Sequence, residues 1–333
     1  MSPKRRFLTA LLGGTADRLP VGNVVSVATV DQMRAVDAWF PAAHHDPEVM
    51  CRLAAAGHQI LGYDTIMPVF SVTQEAAALS CIVDWGDAET MPTVRSHPFA
   101  QAEDFTLPSN WLEAPSIRVV LEAVRRLRER FGDRAVIVGK VMGPWTLSYH
   151  MLGMDEFLVA TKLQPGRVRR VLEALKTVSL AFAREQIRAG ADIICLADHA
   201  SGGIVSPLAY RDFLLPVHKE IFAAIGAPSV LHCCGNTTDR VKYFSESGVD
   251  AYHFESQVNP ARAVAEAGGR MRLMGNVNNP TVLLNGNRQE VAGACRAAIG
   301  GGVDILAPEC AVPLNTPTEN LQALVEAAEG ARN

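Results

Sequence analysis

The chain has 333 residues, of which 48% are hydrophobic and 20% are charged, so it can bury a substantial core and is not a disordered protein. A net charge of −4 argues against a nucleic-acid partner, which normally meets a basic patch. No hydrophobic run reaches the roughly 20 residues of a membrane helix, so no membrane partner is expected. Seven scattered cysteines, an odd number, do not suggest a disulfide framework, and we expect the reducing cytoplasm.

The first third of the chain is predicted to contain regular elements followed by an irregular excursion. Residues 1–12 superficially resemble a signal peptide, but their hydrophobic part is short and no convincing cleavage site follows. An amphipathic helix is the better interpretation. The next predicted elements are a strand at 21–28, a helix at 46–61 and a strand at 64–69. Residues 73–111 contain several prolines, which indicate an excursion or a hairpin instead of another regular unit.

The remainder of the chain alternates between strands and helices. The predicted strands are 135–141, 192–196, 229–232, 250–254, 272–275 and 304–307. The predicted helices are 116–131, 154–161, 165–189, 207–225, 238–247, 260–267, 288–299 and 316–331. Repeated strand–helix units with hydrophobic strands indicate a parallel sheet covered on both faces. With the two earlier strands the count is eight, which predicts a single (β/α)8 TIM barrel over residues 1–333 with an N-terminal helical extension. A doubly wound sheet is the alternative, but no Gly-x-Gly-x-x-Gly motif follows the first strand.

Soft metal ligands follow two of the predicted strands. His232 ends the strand at 229–232 and Cys234 lies two residues later, so in an extended segment both side chains project to the same face. Cys310 follows the strand at 304–307. One imidazole and two thiolates suit zinc, with a fourth position left for water or substrate. Cys233 is a replacement for Cys234 if the strand is bulged, although the alternation of side chains argues against it.

Zinc in this setting has two plausible chemistries. The cation stabilises the anion of a bound thiol, which then becomes a nucleophile at neutral pH. Zinc can also activate water for hydrolysis. Two thiolate ligands donate charge to the metal and weaken its Lewis acidity, whereas hydrolases more often use histidines and carboxylates. The predicted ligand set therefore favours a thiol substrate.

Three further polar residues follow predicted strands, and we assign them to cofactor binding at the mouth of the barrel. They are Asp198, Glu255 and Asn276. Either carboxylate is placed to complete the zinc shell or to orient His232 through a hydrogen bond. The alternative for each is a hydrogen-bonded carboxylate at the barrel rim with a structural role.

Several segments together resemble a known family. They are 17–22, 141–146, 231–237, 274–277 and 308–310, and the most specific is His-x-Cys-Gly-Asn-Thr followed by the late cysteine. These segments resemble the uroporphyrinogen decarboxylase superfamily, and within it the corrinoid-dependent methyltransferases that act on coenzyme M. The resemblance implies a (β/α)8 barrel with zinc held by His232, Cys234 and Cys310. It also implies transfer of a methyl group from methyl-cobalt(III), carried by a small corrinoid protein, to the thiolate of coenzyme M, with cobalt(I) leaving.

Three alternatives remain open at this point. A decarboxylase of this superfamily usually carries an arginine-rich segment after the first strand, but residues 23–30 contain no cation to neutralise a polyanionic porphyrinogen. A methyltransferase with tetrahydrofolate as acceptor is a nearer alternative, and methylation of nitrogen does not require an activated thiol. A non-catalytic partner or storage barrel for a corrinoid protein would show neither turnover nor metal dependence.

Overall fold

The strands form a main parallel sheet and one small hairpin. The computed structural model describes residues 1–99 and 107–331. Its strands are β1 (Thr65–Ile66), β2 (Val83–Asp84), β3 (Thr93–Val94), β4 (Val136–Met142), β5 (Ile193–Ala197), β6 (Ser229–His232), β7 (Ala251–Phe254), β8 (Arg272–Val277) and β9 (Ile305–Pro308). Seven of them pair in the order β1-β4-β5-β6-β7-β8-β9. All the residues of β4, β5, β6, β7 and β9 are buried, as expected for parallel strands covered on both faces.

The sheet closes into a barrel through a short stretch of backbone that occupies the eighth position. The Leu306 N–H donates to Pro20 O at 2.9 Å, and the Asp64 N–H donates to Val21 O at 2.7 Å. Val21 also forms an isolated parallel bridge with Leu306 of β9. The segment around Val21 therefore joins β9 to the residue that precedes β1, which completes the predicted (β/α)8 barrel.

The predicted strand at 21–28 is wrong beyond its first residues. The Asn23 N–H donates to the Thr65 hydroxyl at 3.0 Å, and the Val25 N–H donates to the Asn23 side chain at 3.2 Å. Side-chain oxygens thus take the backbone donors that a strand would offer to its neighbour. The hydrophobic run at 21–28 is buried as predicted, but as a loop at the barrel mouth.

Fourteen α-helices surround or extend the barrel in the described ranges. They are α1 (Pro3–Leu11), α2 (Val30–Val36), α3 (Pro47–Gln59), α4 (Gln74–Ala78), α5 (Pro115–Phe131), α6 (Pro144–Leu152), α7 (Met154–Leu163), α8 (Pro165–Ala189), α9 (Pro207–Ala209), α10 (Leu215–Ala224), α11 (Val241–Ser245), α12 (Pro260–Ala267), α13 (Arg288–Gly300) and α14 (Thr318–Gly330). A π-helical turn at Tyr210–Leu214 joins α9 to α10. Proline in the first turn starts α5, α8 and α12, where the missing N–H has no helical partner to lose. None of the described helices is both long and hydrophobic enough to cross a membrane.

The helix α1 is the predicted N-terminal extension, and it covers the amino-terminal end of the barrel. Its buried Phe7 and Leu11 belong to the main core, and the helix packs on β1, β4 and β9. The Lys4 ammonium bonds Asp192, the residue before β5, at 2.7 Å. This end of the barrel is therefore closed, and the opposite end holds the loops that follow the strands.

The excursion at 73–111 contains the predicted hairpin. Strands β2 and β3 pair antiparallel, with Val83 opposite Val94. Part of the excursion, residues 100–106, lies outside the described residues. Residues 91–94 of the hairpin line the cavity at the barrel mouth, so the excursion covers the region where the strands end.

Closure of the barrel depends on Asp64, which is fully buried. Its carboxylate accepts from Arg6 at 2.8 Å and from the Val21 N–H at 2.9 Å. We expect Asp64→Ala to lower the free energy of unfolding by about 3–5 kcal/mol, because it leaves buried donors without their acceptor. Denaturant titration measures this change. The control Asp31→Ala removes an exposed ion pair and should cost less than about 1 kcal/mol. Equal effects of the two substitutions would contradict this role of Asp64.

Candidate metal and active site

The structure brings the three predicted ligand side chains into one cluster. His232 Nε2 lies 3.1 Å from Cys234 Sγ and 3.4 Å from Cys310 Sγ. The two sulfurs are 3.4 Å apart. Among the described residues, these are the three that are grouped closely enough to share one ion. Tetrahedral zinc with ordinary bond lengths separates such donor atoms by roughly 3.5–3.8 Å, so the cluster needs only small adjustments to fit it.

The ends of two strands place these predicted ligands. His232 is the last residue of β6, and Cys310 follows the end of β9 by two residues. Gly235, with φ +76°, turns the chain directly after Cys234. The neighbouring Cys233 is buried and directs its sulfur towards the carbonyl oxygen of Cys234, 3.8 Å away. The geometry therefore supports Cys234, and not Cys233, as the second member of the cluster.

A second imidazole supports the cluster from behind. His253 packs against His232 with 4.7 Å between ring centroids. Burial lowers the pKa of His253 to about 3, so its ring is neutral, and its Nε2–H donates to Pro308 O at 2.7 Å. This bond ties β7 to the end of β9, just before Cys310. In the described structure His232 Nδ1 is buried without a partner, which leaves Nε2, the nitrogen that faces the sulfurs, as its bonding atom.

The two thiols of the cluster together carry one negative charge more easily than they carry two. Hydrogen bonding from Cys234, assisted by nearby His232, places the pKa of Cys310 well below the usual thiol value. The same contact and burial raise the pKa of Cys234 well above it. A cation at the cluster would compensate the second negative charge, as happens when thiols bind a metal and release protons.

The Asp198 carboxylate lines the cavity at the barrel mouth and caps the first turn of helix α6. It accepts from the backbone N–H groups of Trp145 at 3.4 Å and Thr146 at 2.7 Å. His218 Nε2 lies 3.0 Å from it on the other side. At Gly143 an added Cβ would lie 2.1 Å from Asp198 Cγ, so this close approach requires glycine. These bonds match the rim-carboxylate alternative, and a cofactor-binding role for Asp198 stays a prediction.

Glu255 and Asn276 lie beside the cluster without joining it. Burial raises the pKa of the Glu255 carboxyl, and the charge on Cys310 raises it further, while the Gly235 N–H lowers it. The Asn276 side chain donates to the carbonyl oxygens of Glu255 at 3.3 Å and Val258 at 3.0 Å. Asn276 therefore holds the loop that carries Glu255. Their assignment to cofactor binding also stays a prediction.

A cavity of about 570 Å³ opens onto the cluster. Its walls include Phe70, Met91, Met142 and Met154, which are hydrophobic, and the ammonium-bearing Lys140. Lys140 was not among the predicted site residues, although a single cation inside the otherwise hydrophobic strand at 135–141 was a visible signal. The cavity therefore combines the cluster of His232, Cys234 and Cys310, the buried cation of Lys140 and hydrophobic walls.

Known proteins match almost the whole length of the chain in sequence. A family model described as uroporphyrinogen decarboxylase (URO-D) matches residues 2–331. The chain belongs to the uroporphyrinogen decarboxylase family. A methylated-thiol–coenzyme M methyltransferase from Methanosarcina mazei is 33% identical over 99% of this chain and 89% of its own length. A methylcobamide:CoM methyltransferase from Methanosarcina barkeri is 31% identical over 98% of this chain and 97% of its own.

One solved structure agrees with this assignment within the family. A methyltransferase from Methanosarcina mazei superimposes with a TM-score of 0.96 at 31% identity, covering 99% of both chains. This agreement confirms the predicted TIM barrel and the family recognised from the sequence segments. Among the members of the uroporphyrinogen decarboxylase family, this chain is a methyltransferase.

The thiol pair gives a direct test of the cluster in metal-free protein. We expect Cys234→Ala to raise the pKa of Cys310, because it removes the hydrogen bond that stabilises the Cys310 thiolate. Alkylation of Cys310 at neutral pH should then slow by about tenfold. Iodoacetamide labelling across pH, read by mass spectrometry of the Cys310 peptide, measures the change.

The matched control for this experiment is Cys233→Ala, which removes the adjacent sulfur that lies outside the cluster. We expect its labelling curve for Cys310 to keep the midpoint of the unmodified protein. If Cys234→Ala also leaves the curve unchanged, the two sulfurs do not interact as the structure shows them.

Proposed function

We propose that this protein transfers a methyl group from a methylated corrinoid, carried by a small corrinoid protein, to the thiol of coenzyme M. The convergence of His232, Cys234 and Cys310 at one end of a cavity carries the proposal. The names of the full-length relatives support both substrates, because those proteins are called coenzyme M and methylcobamide methyltransferases.

The donor set suits zinc, which we propose that His232, Cys234 and Cys310 hold. Bound there, zinc would favour the ionised form of a thiol at neutral pH and keep it nucleophilic. His232 is suited to this role because Nε2 faces the two sulfurs. Cys310 is suited because it loses its proton easily. His253 and Pro308 would keep the ends of β7 and β9 in register around the cluster.

The proposed reaction is a nucleophilic displacement at the methyl carbon. The sulfur of the acceptor attacks the methyl carbon, a carbon–sulfur bond forms, and the carbon–cobalt bond breaks. Both electrons of that bond remain on cobalt, which leaves as cobalt(I), and the thiol proton passes to solvent. The hydrophobic side chains of Phe70, Met91 and Met154 line the cavity and would limit the contact of the sulfur with water, and the open mouth would receive the flat corrinoid.

The same cavity disfavours a porphyrinogen substrate. Among the described residues that line it, Lys140 is the one lysine or arginine, so a polyanion would be poorly neutralised. Methylation of tetrahydrofolate does not require an activated thiol, so this acceptor would not explain the set of one imidazole and two thiols. A storage or partner barrel would likewise not need three metal ligands at the cavity.

Methyl transfer from free methylcobalamin to coenzyme M, compared with tetrahydrofolate, tests this function. We expect transfer to coenzyme M, with about one zinc per chain by elemental analysis. Cys310→Ala should remove most of the zinc and most of the activity, because one of three ligands is lost from a loop at the barrel rim. The far-UV circular dichroism should be preserved, since no core side chain changes.

Cys295→Ala is the matched control for that experiment. It changes a buried cysteine on α13, outside the cavity, and should keep both zinc and activity. Full activity of metal-free Cys310→Ala protein would refute the mechanism. Preference for tetrahydrofolate would refute the assignment of coenzyme M as acceptor.

Proton release gives an independent check on the acceptor. Binding of coenzyme M to the zinc-loaded protein should release about one proton, because the thiol must ionise to bind a metal. Calorimetry in buffers of different ionisation enthalpy measures this number. Ethanesulfonate, which carries the same charge but no thiol, should show no buffer dependence. A buffer-independent enthalpy for coenzyme M would count against ionisation of its thiol.

A further inference from the structure

Lys140 is a buried cation that has no role in the methyl transfer proposed above. It lies on β4, opposite Cys195 of β5, and is only 2% exposed. Its side chain lines the same cavity as His232, Cys234 and Cys310. A lysine in such a position is expensive unless an opposite charge or a set of hydrogen bonds compensates it.

Within the described residues, the Lys140 ammonium has no such compensating partner. The hydrogen bonds of Lys140 involve its backbone, which both donates to and accepts from the side chain of Gln186. The residues described in the structure provide no ion pair to its ammonium. Burial lowers the pKa of Lys140, and the charges of Cys195, Glu75, Cys310 and Cys234 act in the opposite direction.

Neither Asp198 nor Glu75 forms an ion pair with the Lys140 ammonium, although Glu75 keeps one buried carboxylate oxygen without a hydrogen-bond partner. Asp198 accepts from the start of α6 and contacts His218. Glu75 lies outside the lining of the cavity and accepts from the Met142 N–H at 2.8 Å. Burial raises the pKa of Glu75, which favours its neutral form. Lys140 is therefore the position at which a small anion entering the cavity would find an unpaired positive charge.

We propose that Lys140 binds the anionic end of the methyl acceptor and thereby selects a short thiol that carries a sulfonate or a carboxylate. This inference rests on the proposed transfer to a thiol and adds which feature of the thiol is recognised. A two-ended acceptor fits the cavity, because its sulfur can face the three soft ligands while its charge faces Lys140. An anion beside Lys140 also restores the stabilisation that the ammonium loses on burial.

The test compares thiols that differ at the end remote from sulfur. The acceptors are 2-mercaptoethanesulfonate, 3-mercaptopropionate and the neutral 2-mercaptoethanol, with free methylcobalamin as donor and zinc-loaded protein. The unmodified protein should prefer both anionic thiols. Lys140→Met should raise the KM for the anionic thiols by about 10- to 100-fold, the range expected for a lost charge-assisted hydrogen bond. Turnover of 2-mercaptoethanol should change little, which also shows that the variant is folded.

Lys162→Met is the matched control, because it makes the same substitution at an exposed residue of α7 outside the cavity. It should leave all three acceptors unaffected. Equal loss of activity with anionic and neutral thiols in Lys140→Met would overturn the proposal, since Lys140 would then act on the sulfur or on the fold. The absence of any preference in the unmodified protein would overturn it as well.

Binding of ethanesulfonate separates this inference from the proposed function. This probe has the charge but no thiol, so ligand-observed NMR can detect its binding without any turnover. We expect binding to the unmodified protein and to Lys162→Met, and loss of binding in Lys140→Met. If no thiol is methylated but this pattern holds, the proposed function fails and the anion site stands. If thiols are methylated but ethanesulfonate binds equally to all three proteins, the anion site alone fails.

Discussion

Parallel strands that close into a barrel all end at the same rim, and the candidate site depends on that constraint. His232 and Cys310 are 78 residues apart in the chain, and β7 and β8 separate the strands at whose ends they lie, yet their donor atoms are 3.4 Å apart. No local segment brings them together. The contacts of Val21 with Leu306 and Asp64 close the sheet beside β9 and therefore fix the position of the loop that carries Cys310.

In the closed barrel, the ionisation of each thiol in the cluster depends on the other thiol and on His232. Two thiols and an imidazole held this close in a largely buried place disfavour a second negative charge, as the opposite pKa directions of Cys234 and Cys310 show. A divalent cation bound there would relieve that repulsion, so metal affinity and ionisation of the thiols would be one equilibrium. Lys140 adds a positive charge to the same cavity without a hydrogen bond to His232, Cys234 or Cys310.

The sequence predicted those features that follow from a repeating pattern. Alternation of side chains placed His232 and Cys234 together and Cys233 apart, and the strand–helix repeat gave the bounds of α8 and α12. It missed α6, since nearly all of its residues are buried and no polar face marks a helical period. It also extended the first strand too far, because the hydrogen bonds of Asn23 and Thr65 that end it join residues 42 positions apart. Contacts of that kind are set by the tertiary fold and leave no local pattern.

The closed and open ends of the barrel impose an order on the proposed reaction. Helix α1 covers the amino-terminal end through its packing on β1, β4 and β9, so both substrates must use the opposite mouth. The hairpin residues 91–94 line the cavity at that mouth. A corrinoid seated there would cover the cavity that holds the two cluster cysteines and Lys140. Under the proposed function the thiol therefore enters first, and its buried charge and ionised sulfur are in place before the methyl donor arrives.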